Sequence, residues 1–353
     1  MIDVSVIIAA YNAEDTIAET LESVLASRNV SLEVIVADDC SQDRTREIVA
    51  ANPDQRVRLV ALASNRGPGG ARNAAIAAAS GKWLAMVDAD DTISPDRLFR
   101  MIARGEAVAA EIVVDNLEVL EPEQPRRVMF DRAMLHAMPE LDLAGFIASN
   151  VLFASRHNFG YLKPVFSRSF LLEKGLSFDE KLKIGEDYLL LARALAEGGK
   201  CAVEPEPGYV YLIRQGSISR VLQGHHVEAM LEADRGFIAR YRLSGAAERA
   251  QRRRTASLKE ALAFIALIDA LKARSPSGAL RAALSRPAAL RHLRMPIAAR
   301  LQRLAARLRR RKKFPDLPVV ASGSGSAGEA RSPGFSAGLQ DVKSSEANFH
   351  REG

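Results

Sequence analysis

The sequence predicts an α/β protein: a doubly wound, mostly parallel sheet, then C-terminal helices and a disordered tail. Two observations predict it. Short, β-branched apolar runs alternate with stretches of helical apolar spacing through to about residue 110, the pattern of successive βαβ units. The 353 residues are also 48% hydrophobic and 26% charged, the balance of a chain that buries a core, which excludes disorder for the bulk.

Val4 to Ala10 (VSVIIAA) reads as a buried strand and Leu32 to Ala37 (LEVIVA) as a second. Between them Asp15 or Thr16 can cap a helix carrying Ile17, Leu21, Val24 and Leu25, which completes a right-handed βαβ unit. A helix follows at about 43–51, a strand at 57–62, an alanine-rich helix at 71–79 and a strand at 83–87, with Trp83 expected in the core. Ligands of such sheets bind beyond the carboxyl ends of the strands, so the polar groups there matter most. From 111 to 223 the pattern is less regular, with an extended run at 111–120, a loop containing Pro122 and Pro125, and helical stretches near 140–150, 168–175 and 187–198. Residues 227–242, 258–271 and 297–312 read as helices, with breaks at Pro276, Pro287 and Pro296. SGSGSAGEARSPG, from Ser322, is too polar to order itself. The expected organisation is an α/β domain over 1–223, in halves 1–110 and 111–223, then a helical basic region at 224–313 and a tail at 314–353.

The net charge of +6 hides a division. Residues 1–249 carry 28 basic and 36 acidic side chains, 250–313 carry 18 and 2, and the last forty carry 3 and 5. Within the basic segment Ile297, Leu301, Leu304 and Leu308 share one helical stripe, flanked by Arg300, Arg303, Arg307 and Arg310. That pattern reads as a helix lying on an anionic membrane surface, here the inner leaflet, with packing against the α/β domain as the alternative. No aromatic platform or DNA-binding motif accompanies the charge, so nucleic acid is not an expected partner. No run approaches the roughly 20 apolar residues of a spanning helix. Asp3 and Asn12 stand where a signal peptide needs basic residues and a cleavage site, and Cys40 and Cys201 are too few for a disulfide framework, so a cytoplasmic location is expected.

Three polar groups end predicted strands. Asp88, Asp90 and Asp91 (VDADD) repel one another unless a cation sits between them, and alternate positions on an extended segment suit Mg²⁺ or Mn²⁺ with open positions for diphosphate oxygens. Asp91 or Thr92 as a helix cap is the alternative. Asp38 and Asp39 (VADDCSQD) can accept from a base N–H or ribose hydroxyl, while Ser41 or Asp43 caps the next helix. The loop NRGPGGARN lets backbone approach a ligand and supplies Arg72 near a helix N-terminus, but it lacks the third glycine of GxGxxG and the GK[ST] of a phosphate loop.

In this order, SVIIAAYN, VADDCSQD, NRGPGGARN and VDADD resemble the family 2 inverting glycosyltransferases of the GT-A fold, over about residues 3–220. RGPGGARNAAI, VDNLEVL, SNVLF, HNFGYLKP, IGEDYLLLARAL and YLIRQGSISRV look, more narrowly, like bacterial succinoglycan biosynthesis glucosyltransferases. The resemblance implies a UDP-sugar donor, UDP-glucose, and a lipid-linked oligosaccharide acceptor, at the cytoplasmic face of the inner membrane. It implies that Ala10, Tyr11, Asn12 and Asp38 or Asp39 hold the uridine, that Arg72 lies near the diphosphate, and that Asp88 and Asp90 are the DxD pair, with Asp91 helping. The ED motif of the family falls on Glu186 and Asp187, and Asp187 is the expected base. First-turn helix acids favoured by the dipole are the plain alternative for this pair.

Tyr211, Arg214, Ser217 and Ser219 lie, by resemblance, in a lid near the diphosphate, and Lys163 and Arg168 are candidate contacts to acceptor hydroxyls. His225 and His226 are candidate metal neighbours, though a solvated pair opening a helix fits them better. The QxxRW motif of processive members is absent, which favours single-sugar addition. Two other functions compete: a nucleotidyltransferase and an inactive nucleotide-sugar-binding scaffold subunit at the membrane.

Overall fold

The computed structural model describes residues 2–294 except 123, 155–157 and 214–221. These fall within one unit, residues 1–296. The expected basic helix at 297–312, the polar tail, and Arg214, Ser217 and Ser219 lie outside the described residues.

The N-terminal half consists of β1 (Val4–Ala10), α1 (Ile17–Leu25), β2 (Leu32–Asp38), α2 (Thr45–Ala50), β3 (Val57–Ala61), α3 (Gly67–Ala78) and β4 (Trp83–Asp88). Its strands run parallel in the order β3-β2-β1-β4. β1 and β2 are covered on both faces, which is why they read as continuous apolar runs and not as alternating ones. α1 turns Ile17, Leu21 and Val24 inward. Thr16 is its N-cap residue, but the hydroxyl donates to the Ala13 carbonyl and gives no side-chain cap. Ala10 pairs with Asp38 and Ala9 with Asp88, so three strands end at one edge.

α3 departs from expectation. It begins at Gly67, so Gly67, Pro68, Gly69 and Gly70 form its first turn and not a loop. A Cβ on Gly69 would lie 3.1 Å from the Asp179 carbonyl oxygen and 3.3 Å from Phe178 Cβ. The close approach that glycine permits there is to the chain's own 178–179 segment.

The second half contains β5 (Thr92–Ile93), α4 (Arg97–Ala107), β6 (Ile112–Leu120), β7 (Arg127–Val128), α5 (Arg132–His136), α6 (Leu143–Ser149), β8 (Val165–Ser167), α7 (Arg168–Glu173), α8 (Glu186–Ala196) and β9 (Cys201–Leu212). The sheet becomes mixed here, because β8 runs antiparallel between β4 and β6 while β9 runs parallel to β6. Sequence reading misses β9. Pro205, Pro207 and Gly208 interrupt its apolar pattern, and the register against β6 shifts on either side of Asn116 to accommodate them. Trp83 is in the core, as expected.

Three helices follow: α9 (Gly224–Arg240), α10 (Gly245–Lys272) and α11 (Pro276–Ser285), then a 3₁₀ segment at Pro287–Leu293. α10 runs 28 residues, and its polar first half conceals it from a periodicity reading. Gln251, Arg254 and Ser257 in that half are buried. Arg254 pairs with Asp234 at 3.3 Å, donates to the Asn150 carbonyl at 3.0 Å and lies 3.6 Å over the Tyr188 ring. The α9–α10 hairpin therefore supports α8. Gly185, which caps α8, has φ 92°, and a Cβ there would meet Met230 Cε of α9 at 3.1 Å. Gly185→Ala should cost about 1–3 kcal/mol for the left-handed backbone. Thermal unfolding checks this, and an unchanged midpoint would refute it.

Candidate active site

Asp88 ends β4, and Asp90 and Asp91 occupy the turn into β5. Carboxylate oxygens of the three lie within 4.8 Å of one another. Asp91 is buried, accepting from the Tyr209 hydroxyl at 2.7 Å and from the Leu212 amide at 2.8 Å. The Tyr209 oxygen also accepts from the Asp88 amide at 3.0 Å. Thr20 of α1 donates to the Ala89 carbonyl at 3.0 Å, which ties the turn to the first helix. Burial, then the charges of Asp88 and Asp90, push the Asp91 carboxyl well above its ordinary value. Three carboxylates this close offer hard oxygen donors of the kind that hold a divalent cation. Asp90, Glu19 and Thr20, with Leu120, Val210 and Leu212, line a small crevice of mixed polarity.

Next to the turn lies a charge hub. Arg72 of α3 is 5% exposed and donates from Nη2 to Asp88 at 2.7 Å and from Nη1 to Glu186 at 2.7 Å, with Asp187 Oδ1 3.1 Å away. The Phe178 ring covers the guanidinium, centroid 5.3 Å from Cζ. Lys163 Nζ lies 2.5 Å from Asp88 and 3.3 Å from Asp187. Burial alone would discharge Lys163, but Asp88 and Asp187 outweigh it and hold the ammonium above its ordinary value. Burial would likewise raise Asp88, yet Lys163 and Arg72 hold it far below the usual carboxylate range. Glu186 is raised by burial and by Asp187 against the pull of Arg72. The ED acids thus differ: the Glu186 side chain is 9% exposed and faces Arg72, while that of Asp187 is 23% exposed.

Arg97 of α4 organises the next layer. It forms a fully buried pair with Asp115 of β6 at 2.8 Å, donates to the Lys163 carbonyl at 2.7 Å and lies 5.1 Å over the Tyr209 ring. Sequence reading overlooks Arg97, Asp115 and Tyr209. One signal was available, since Asp115 interrupts the apolar run IVVDNLEVL and a buried carboxylate needs a partner.

At the neighbouring strand ends Ala10 is buried and Tyr11 is exposed. Asn12, at φ 50°, accepts from the Gln42 amide through its side chain and donates from its own amide to Ser41. Asp38 is fully buried, and one oxygen accepts from Arg46 at 2.8 Å and from the Ser41 amide, while Oδ1 has no partner. Asp39 instead accepts from the Arg66 amide at 2.7 Å, where α3 begins, and burial raises its carboxyl. Asp43 meets Thr45 at the start of α2 and Ser41 turns toward Asn12, so neither is the formal cap.

One expectation needs correction. Arg168 follows β8, whose register sets Ser167 beside Trp83, so it lies at the opposite end of β4 from Asp88, about 16 Å away at strand rise, and away from the acids. His225 and His226 open α9, with His225 exposed and His226 accepting from the Gln223 amide in the capping box, which agrees with the favoured surface reading of the pair. The metal-type group among the described residues holds only the three aspartates. Tyr211, in β9, meets Tyr161 edge-on at 5.8 Å.

The glycosyl transferase family 2 profile matches residues 5–170. The chain is 58% identical over 305 residues to succinoglycan biosynthesis protein ExoO of Rhizobium meliloti (strain 1021), covering 86% of this chain and 88% of that one. The chain belongs to glycosyl transferase family 2. A second relative of this family 2 chain, ExoU of the same strain, is 34% identical over 293 residues and covers 82% and 84%. Among solved structures, Staphylococcus aureus TarS 1–349 in complex with UDP-GlcNAc superimposes with TM-score 0.55 at 23% identity, covering 74% and 71%. The glycosyltransferase fold of this chain is therefore GT-A, with the acids of both motifs at one sheet edge.

Proposed function

We propose that this enzyme transfers glucose from UDP-glucose, with inversion, to a lipid-linked oligosaccharide in exopolysaccharide synthesis of the succinoglycan type. It works at the cytoplasmic face of the inner membrane. The observation that carries the chemistry is Asp187: a partly exposed carboxylate joined to Asp88 through Lys163 and Arg72. One base, linked through those two cations to the donor acid Asp88, serves a single displacement. Asp187 removes the proton of the acceptor hydroxyl as its oxygen attacks the anomeric carbon, and UDP leaves from the opposite face. Glu186 and Arg72 position Asp187. Asp38, with one buried oxygen lacking a partner, receives the uracil N–H, and Ala10, Tyr11 and Asn12 border the nucleoside. Bound by Asp90 with Asp88 and Asp91, Mn²⁺ or Mg²⁺ supplies positive charge to the departing diphosphate. The pathway reading draws support from the names of ExoO and ExoU, and the UDP-sugar from the TarS complex.

Incubation with a panel of nucleotide sugars and divalent ions, measuring UDP release, tests this. Hydrolysis of UDP-glucose above the other donors is expected, and formation of UTP and glucose 1-phosphate from UDP-glucose on adding inorganic diphosphate would show nucleotidyl transfer instead. No release with any donor or ion, at protein folded by thermal melt, would favour the scaffold reading. Asp90→Ala should remove the metal-stimulated part of the rate, and wild-type turnover in that variant would refute the metal assignment.

A further inference from the structure

α11 is amphipathic in the reverse sense for a helix at a water surface. Gly278 and Ala282, four residues apart, face inward: a Cβ on Gly278 would meet Ala270 Cβ of α10 at 3.2 Å, and Ala282 is the buried residue of the helix. Leu280 and Leu284 project about 200° away from that face and are 61% and 70% exposed. Leu271, at the end of α10, and Leu290, in the 3₁₀ segment, are exposed as well. Leu280 and Leu284, one turn apart, give the outward face of α11 an exposed apolar pair, and two further exposed leucines lie on the elements packed against it.

The charge of the same segment selects the occupant. Residues 270–294 carry six basic side chains and no acidic one, and although Lys272 meets Asp269 and Arg291 meets Glu260 of α10, the balance stays positive. Arg286, which follows α11, also lines an open groove of about 560 Å³ with Arg242, Arg252 and Lys259, where Glu248 pairs with Arg252. A second copy would bring the same positive surface to this one. Residues 295–313 of this chain carry eight basic and no acidic side chains, again the same sign. An anionic lipid bilayer matches both features, because leucines enter the headgroup boundary while the arginines meet lipid phosphates.

We infer that the surface of α11, led by Leu280 and Leu284, docks this enzyme on an anionic bilayer. The inference rests on the membrane placement proposed above and locates it on α11, ahead of the 297–313 stripe in the sequence.

The test uses the full chain with vesicles of phosphatidylcholine, with and without phosphatidylglycerol. Wild type should sediment with the anionic vesicles alone, and the double variant Leu280→Asn/Leu284→Asn should bind them about tenfold or more weakly. Leu284→Trp should give an emission band that shifts to the blue on adding anionic vesicles, after subtraction of the wild-type signal. Wild-type binding by the double variant, or an unshifted emission band from the Leu284→Trp variant, overturns the inference. So does a lipid-free dimer of the wild type that the double variant dissociates. UDP release without acceptor, in the absence of lipid, should be equal in wild type and double variant. Loss of that activity from wild type would sink the transfer reading and leave the vesicle result standing.

Discussion

Asp187→Asn should lower sugar transfer by about 10²–10⁴-fold while leaving UDP binding within a factor of two or three. Asparagine preserves the size of the side chain and an oxygen that can still accept from Lys163 or Arg72. What it removes is the capacity to take a proton. Glu186→Gln is the informative comparison, because Glu186 is turned toward Arg72 and its side chain is less exposed than that of Asp187. Glu186→Gln should retain most of the transfer rate. Initial rates of acceptor-dependent UDP release, with UDP affinity by calorimetry, check both variants. A dead Glu186→Gln beside an active Asp187→Asn would exchange the two roles.

Arg72→Met should destabilise the domain by about 3–5 kcal/mol, the cost of leaving a buried charge uncompensated. Three carboxylates converge on this guanidinium, and after its removal Lys163 remains as the cation beside Asp88 and Asp187. Glu186 would then have lost the arginine that opposes its burial. Its carboxyl, already raised, should rise further in the folded variant. A folded-state value above the unfolded one makes the folded state bind more protons, so stability falls as pH rises through that range. The midpoint gap between wild type and Arg72→Met should therefore narrow from pH 7 toward pH 5. Thermal melts at the two pH values measure this, and a gap that widens toward acid would show that Glu186 is not the group left stranded. Arg72→Lys should fall between, since one ammonium lacks the fork that serves Asp88 and Glu186 together.

The parallel half of the sheet is legible in the sequence because its strands are buried on both faces and its helices keep a clean apolar spacing. β9 is not, since Pro205, Pro207 and Gly208 carry the marks of a loop and become a strand through pairing with β6. α10 is half legible: the apolar part is read correctly, whereas Gln251 and Arg254 look solvated and are buried through Asp234, Asn150 and Tyr188. The start of α3 is misread for a related reason, since Gly67 and Gly69 sit against chain from more than a hundred positions away.

The order of motifs along the chain is enough to place an acidic group at the end of each of two strands and a glycine-rich segment after a third, and to name the family they resemble. Local periodicity places the strand ends, because alternation and helical spacing act within a few residues, while the family comes from the resemblance of the motifs themselves. Which member of each acidic group faces the substrate is decided by packing. Asp38 and Asp39, Glu186 and Asp187, and Asp90 and Asp91 are chemically near-equivalent neighbours, and a step of one residue turns a side chain by about 180° on a strand or 100° on a helix. Their environments then come from remote partners: Arg72 reaches Glu186 across 114 positions, and Tyr209 reaches Asp91 across 118. Burial and charge supplied at that range separate the more buried carboxylate from its more exposed neighbour, and no local pattern encodes them.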